Sequence, residues 1–218
     1  MNYFSIFLKG GLLMWPILLL SIIGLAIIID RYIILRKSKT NIPAFMVRVR
    51  GLLKRKDIHG AISYCSQEKS PVANIIRKGL SKYSLGHERV KESIENAGTQ
   101  EISKLEKGIP FLATIAGIAP LLGFLGTVTG MISAFMTIQD LAGAANPSDL
   151  AGGIWEALIT TAFGLGVGIP ALAFYNYFVN SIKRLVGDIE TVANDVIDVI
   201  QDSSGDPNES KDEVELDI

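Results

Sequence analysis

Three stretches of this 218-residue chain carry no Asp, Glu, Lys or Arg: Gly10 to Ile29, Gly108 to Gln139 and Ala157 to Ile182, which are 20, 32 and 26 residues long. A helix needs about 20 apolar residues to cross the hydrocarbon core of a bilayer. Inside lipid every backbone N–H and C=O must find its partner within the protein, which restricts a chain of this kind to helices. The expectation is an all-α integral membrane protein with three transmembrane helices. With 49% apolar residues and 20% charged ones, disulfide scaffolds, disordered chains and ordinary soluble enzymes are excluded. The first stretch reads as a retained helix, because its apolar run is too long for a signal peptide and no small-x-small cleavage site follows.

The charges that flank these stretches give an expected orientation. From Arg36 to Lys107 there are 16 basic and seven acidic residues, and from Leu185 to Ile218 there are one Lys and 11 acids. Basic residues beside a span are retained on the cytoplasmic side. Arg31, Arg36, Lys37 and Lys39 follow the first span, Lys104 and Lys107 precede the second, and Lys183 and Arg184 follow the third. The predicted arrangement is an N-terminus outside and a C-terminus in the cytoplasm, with external connection around Asn146-Pro147.

These patterns divide the chain into an external N-terminus with the first span (1–35), a cytoplasmic helical domain (36–107), the second span (108–138), an external loop (139–152), the third span (153–182), a cytoplasmic helix (183–202) and an acidic, disordered tail (203–218). Within 36–107, apolar residues recur at helical spacing: Phe45, Val49, Leu52 and Leu53; Ile58, Ala61 and Ile62; Val72, Ile75, Ile76 and Leu80; then Val90, Ile94, Ala97, Ile102 and Leu105. The last of these helices is expected to run on into the second span. Leu185, Ile189, Val192, Val196 and Val199 extend the third span in the same way. The single cysteine, Cys65, reads as a reduced packing residue.

Small or weakly polar residues mark one stripe on each of the later spans. On the second they are Ala113, Ala116, Pro120, Gly123, Thr127, Gly130 and Ala134; on the third Ala157, Thr161, Gly164, Gly168, Ala171 and Tyr175. A repeat averaging about 3.5 residues keeps such a stripe turned toward a partner helix. Two readings remain open. Small residues let helix backbones approach closely in lipid, or they leave room for a narrow pore wall made by Ala116, Pro120, Gly123, Gly130, Ala157, Gly164 and Gly168. Thr127 and Thr161 place hydroxyls on the stripes and are candidates for a proton pathway, with Thr160 beside them. Glu156, near the outer end of the third span, is a functional candidate, since ionisable groups near lipid are costly. No carboxylate lies deep in any span, so a proton-conducting role requires a titratable group from another chain.

Other motifs carry less. Gly164-x-Gly166-x-Gly168 follows no strand and lies in lipid-length sequence, which argues against a nucleotide loop. His59 and His87 have no clustered ligands, and neither metal, cofactor nor nucleic acid is expected. The basic segment can touch anionic lipid.

The run Ala119-Pro120-Leu121-Leu122-Gly123-Phe124-Leu125-Gly126-Thr127-Val128-Thr129-Gly130-Met131-Ile132 resembles the second-span signature of the MotA/TolQ/ExbB proton-channel family. Glu156 to Gly164, followed by Ile169-Pro170-Ala171 and Tyr175-Asn176, resembles its third-span signature, and Asp30-Arg31 also fits. Three spans point to the ExbB/TolQ branch, ExbB ahead of TolQ. The resemblance implies a homopentameric ring in the bacterial inner membrane, with the second and third spans around a central pore. It implies a single-span partner of the ExbD or TolR type whose membrane Asp carries protons, and transmission of force to TonB. It matches Thr127 and Thr161 to the pore threonines and Glu156 to the outer acid. The rival readings are a secondary transporter, which three dissimilar spans disfavour, and a non-conducting membrane scaffold.

Overall fold

The structure, a computed structural model, describes residues 7–38, 41–141 and 146–204. All regular elements among them are helical: α1 (Met14–Ser38), α2 (Ile42–Lys54), α3 (Ile58–Gln67), α4 (Pro71–Leu80), a 3-10 turn (Tyr83–Leu85), α5 (His87–Glu106), α6 (Ile109–Asp140) and α7 (Pro147–Ser204). The expected all-α class and three span-length apolar helices are both present. At 1.5 Å per residue, α1 is about 37 Å long, α6 about 48 Å and α7 about 87 Å. Each contains a window long and apolar enough to cross a membrane, and α7 continues well past it. Their large apolar side chains face outward, among them Leu19, Ile22, Phe124, Phe135, Leu158 and Ile169. That is the burial pattern of helices whose solvent is hydrocarbon.

The chain divides into two compact units. One comprises residues 1–32 and 107–179 and contains the spans. The other comprises residues 33–106 and 180–218. In the second unit the helices start where side chains can cap them. Asn41 Oδ1 accepts from the Ala44 N–H at 3.3 Å, Asp57 Oδ1 from Gly60 at 2.8 Å and Ser70 Oγ from Ala73 at 3.2 Å. Pro43 and Pro71 occupy early positions, where a missing N–H costs nothing. The helical stripes read from the sequence meet in one core: Phe45, Val49 and Leu53 of α2, Ala61 of α3, Val72, Ile75, Ile76 and Leu80 of α4, and Val90, Ile94 and Ala97 of α5. Ile189, Val192, Val196 and Ile200 of α7 belong to the same core. The end of α7 is thus a structural member of this unit, which its amphipathic stripe alone did not specify.

The helix expected to run on into the second span is interrupted: α5 stops at Glu106 and α6 starts at Ile109. Gly108 between them has φ +84°, a left-handed conformation that ends a helix cheaply only at glycine. α7 starts at Pro147, where the Asn146 N–H donates to Asp149 Oδ2 at 2.9 Å. At its other end α7 reaches Ser204. The predicted disordered tail from residue 205 on lies outside the described residues.

Cys65 is 1% exposed in the core of the second unit. Burial raises its thiol pKa from 9.0 to about 11, only partly opposed by the Arg77 charge. Because the folded state holds this proton more tightly than the unfolded chain, the Cys65 thiol costs no stability below pH 9 and lowers it progressively between pH 9 and about 11. Iodoacetamide at pH 8 is expected to modify Cys65 only in denaturant; rapid modification of the native protein would contradict its burial.

Candidate functional site: the α6–α7 seam

The buried face of α6 runs through Leu112, Ile115, Ala119, Gly123, Gly126, Gly130 and Ala134. On α7 the buried positions include Ala157, Thr160, Gly164, Gly168 and Ala171. These faces meet almost backbone to backbone. A Cβ built on Gly123 would lie 2.9 Å from the Thr160 carbonyl oxygen, and one on Gly164 would lie 2.6 Å from the Ala119 oxygen and 2.9 Å from Gly123 Cα. Gly130 and Gly153 face each other's carbonyls, at 2.6 and 2.5 Å by the same construction. A Cβ on Gly168 would reach the Pro120 ring at 2.5 Å and the Ala116 oxygen at 3.2 Å. Pro120 supplies no N–H to that Ala116 oxygen, so close approach is possible there without breaking a helical hydrogen bond. Ser21 and Gly24 of α1, Ile115 of α6, and Gly166 and Pro170 of α7 border a cavity of about 110 Å³.

This geometry separates the candidate pore-wall residues into two groups. Gly123, Gly130, Ala157, Gly164 and Gly168 are buried by contact within one protomer. Their small size brings the two backbones together. Ala116 and Pro120 are half-buried along the edge of the seam. The buried row on α6 is displaced from the expected stripe by about one residue over much of its length, or about 100° of helix rotation. The stripe read from the sequence traces the seam's margin there.

The polar candidates divide as well. Thr127 and Thr161 are both half-buried at the margin. Thr161 Oγ1 donates across the seam to the Gly123 oxygen at 2.9 Å and lies 3.1 Å from the Ala157 oxygen of its own helix. Thr127 Oγ1 donates to the Phe124 oxygen at 2.5 Å. Thr160, by contrast, is fully buried. Its hydroxyl faces the Glu156 and Ala157 oxygens at 2.9 and 3.0 Å, and its Cβ would stand 2.4 Å from a Cβ on Gly126. It therefore packs between the two helices. Thr129 donates to carbonyls one turn back, the ordinary bond of a threonine in an apolar helix.

Glu156 is half-buried, about two and a half turns into α7. Its carboxylate does not point along the Thr127–Thr161 margin. It lies against Gly11, where an added Cβ would fall 1.9 Å from Oε1. Glu156 and Thr161 are five residues apart and so about 140° apart around the helix. Of the four polar residues predicted for one pathway, Thr127 is on α6, and the three on α7 do not share one face. Sequence reasoning also missed Gly153, although it extends the third-span row by one further four-residue step.

Among the described residues no cluster of His, Cys, Asp and Glu is suited to a metal ion. Residues 67–191 match the MotA/TolQ/ExbB proton channel family. The chain is 30% identical to the putative biopolymer transport protein ExbB homolog of Methanothermobacter thermautotrophicus, over 88% of this chain and 69% of that protein. It is 34% identical to the putative biopolymer transport protein ExbB-like 1 of Synechocystis sp., over 80% and 69%. To the Tol-Pal system protein TolQ of Haemophilus influenzae it is 32% identical, over 86% and 90%. Family profile, relatives and the three-span helical architecture agree: this chain is a multi-pass membrane protein of the MotA/TolQ/ExbB proton channel family, a transport component and not an enzyme.

Proposed function

We propose that the chain is the ring-forming subunit of a proton-driven motor in the bacterial inner membrane, working with an ExbD-type partner to convert proton motive force into mechanical work on TonB. The N-terminus lies outside and the C-terminus in the cytoplasm, as the basic flanks at Arg36, Lys104 and Lys183 favour. Five copies enclose the partner's single spans, and lumen-facing surface comes from the half-buried margin of the seam, with Ala116, Pro120, Thr127 and Thr161. The observation that carries this reading is the pair of hydroxyls on that margin, inside the charge-free stretches 108–139 and 157–182.

The chemistry follows from what the spans lack. A threonine hydroxyl can donate and accept a hydrogen bond but cannot carry a proton charge near neutral pH. The partner's membrane Asp does so. A proton enters near Glu156 and neutralises that Asp, which then moves along a wall of slender side chains without a charge penalty and releases the proton beyond Thr127 and Thr161. Each charge crossing 100 mV supplies about 2.3 kcal/mol to turn the partner pair. A TolQ-type role in the Tol-Pal envelope system is the second reading, favoured by the match over 90% of the Haemophilus TolQ.

The test is proton flux into proteoliposomes containing the chain with its partner. Thr127→Val and Thr161→Val are each expected to lower flux at least roughly tenfold, the scale of one lost charge-stabilising hydrogen bond, while the complex still assembles. Undiminished flux in both variants overturns the lumen assignment, and absent flux in the unmutated complex favours the scaffold.

A further inference from the structure

The segment before α1 lies on the face of α7 that carries the acid. Three consecutive residues make the contact. Lys9 Nζ stands 6.0 Å from the centre of the Trp155 ring. A Cβ on Gly10 would reach Ile159 Cγ2 at 3.1 Å, and one on Gly11 would fall 1.9 Å from Glu156 Oε1 and 2.6 Å from its carboxyl carbon. Trp155, Glu156 and Ile159 share one side of α7, so Lys9-Gly10-Gly11 forms a turn laid across it. The turn is held by Gly10 N–H donating to the Phe7 oxygen at 3.1 Å and Met14 N–H to the Gly11 oxygen at 3.3 Å. Gly11 has φ +69°.

We propose that Gly11 is a positioning residue for Glu156: the space left by its missing side chain is the seat of the carboxylate, so the turn before the first span fixes where the third span's acid points. The physical reason is steric: the volume a Cβ would fill is already taken by Oε1. A fixed acid presents one geometry to an arriving proton. This inference rests on the proposed proton-conducting role only for its consequence in transport; the seat itself is a matter of packing.

The experiment uses the full chain with its partner in membranes and has two readouts. The first is modification of Glu156 by a water-soluble carbodiimide with glycine ethyl ester, quantified by mass spectrometry. Gly11→Ala is expected to raise the modification rate roughly tenfold by evicting the carboxylate. Gly11→Asn accepts positive φ readily and carries the same Cβ, so it should do the same and separates collision from backbone strain. The second readout is proton flux. Gly11→Ala should lower it, yet add no further loss to Glu156→Asp, whose side chain is shorter by one methylene and vacates the seat, nor to Glu156→Gln. Unchanged modification in both glycine variants overturns the seat, as do additive losses with Glu156→Asp. If Glu156→Gln alone leaves flux intact while modification responds to Gly11, the seat stands and the acid's part in conduction fails.

Discussion

Gly164→Ala is expected to destabilise the protomer strongly, while Gly166→Ala, half a turn along the same helix, is expected to leave it unchanged. A Cβ on Gly164 meets the Ala119 oxygen and Gly123 Cα, which are backbone atoms that cannot rotate away. A Cβ on Gly166 meets nothing within 4 Å. Overpacking of a close contact costs about 1–3 kcal/mol, and the upper end applies where only a helix shift can relieve it. Because α6 and α7 also touch at Gly123, Gly130, Gly153 and Gly168, separating them at Gly164 loosens the rest of the seam. The measurement is thermal unfolding of the purified protein in detergent, with membrane abundance alongside. Equal behaviour of the two variants would mean that the seam does not hold the helices together.

The second large effect is expected outside the spans. Val196→Asp places a carboxylate at a fully buried position in the core formed by α2, α4, α5 and the end of α7. An unpaired buried charge is among the most destabilising single changes, on the order of 4 kcal/mol. Its neighbour Asp195 offers the contrast. It accepts from Arg50 at 2.9 Å, but its side chain is 39% exposed and that of Arg50 46%. A solvent-screened pair of that kind contributes about 0–1 kcal/mol, so Asp195→Ala should be nearly silent. Limited proteolysis of residues 41–106 reads both: rapid cleavage in Val196→Asp and a native pattern in Asp195→Ala. A native pattern in Val196→Asp would detach the end of α7 from that core.

The architecture was legible because charge-free length is a property of consecutive residues. Three long gaps in the charge pattern gave three span-length helices, and the apolar spacing of Val72, Ile75, Ile76 and Leu80 gave the buried face of α4. The seam was only partly legible. Periodicity reveals that a helix has a small-residue side, but not whether that side meets a sister helix or an open space. Here a shift of one residue placed Gly126 and Thr160 at the centre, and left Thr127 and Thr161 at the margin. The end of α7 in the second core and the seat of Glu156 on Gly11 are contacts between residues more than 90 positions apart. No local pattern encodes them. The break at Gly108 had a signal in Gly108-x-Pro110, which marks a helix end followed by a new first turn as readily as a gentle bend.

A joint made mostly of glycine and alanine contacts, with Thr160 the central side chain that can rotate, has few rotamers to rearrange. It freezes little side-chain entropy when it forms, and it offers no alternative packing of similar energy. The α6–α7 pair therefore behaves as one stiff plank, and any sliding or rocking during transport is left to the outward faces, where Phe, Leu and Ile side chains can repack.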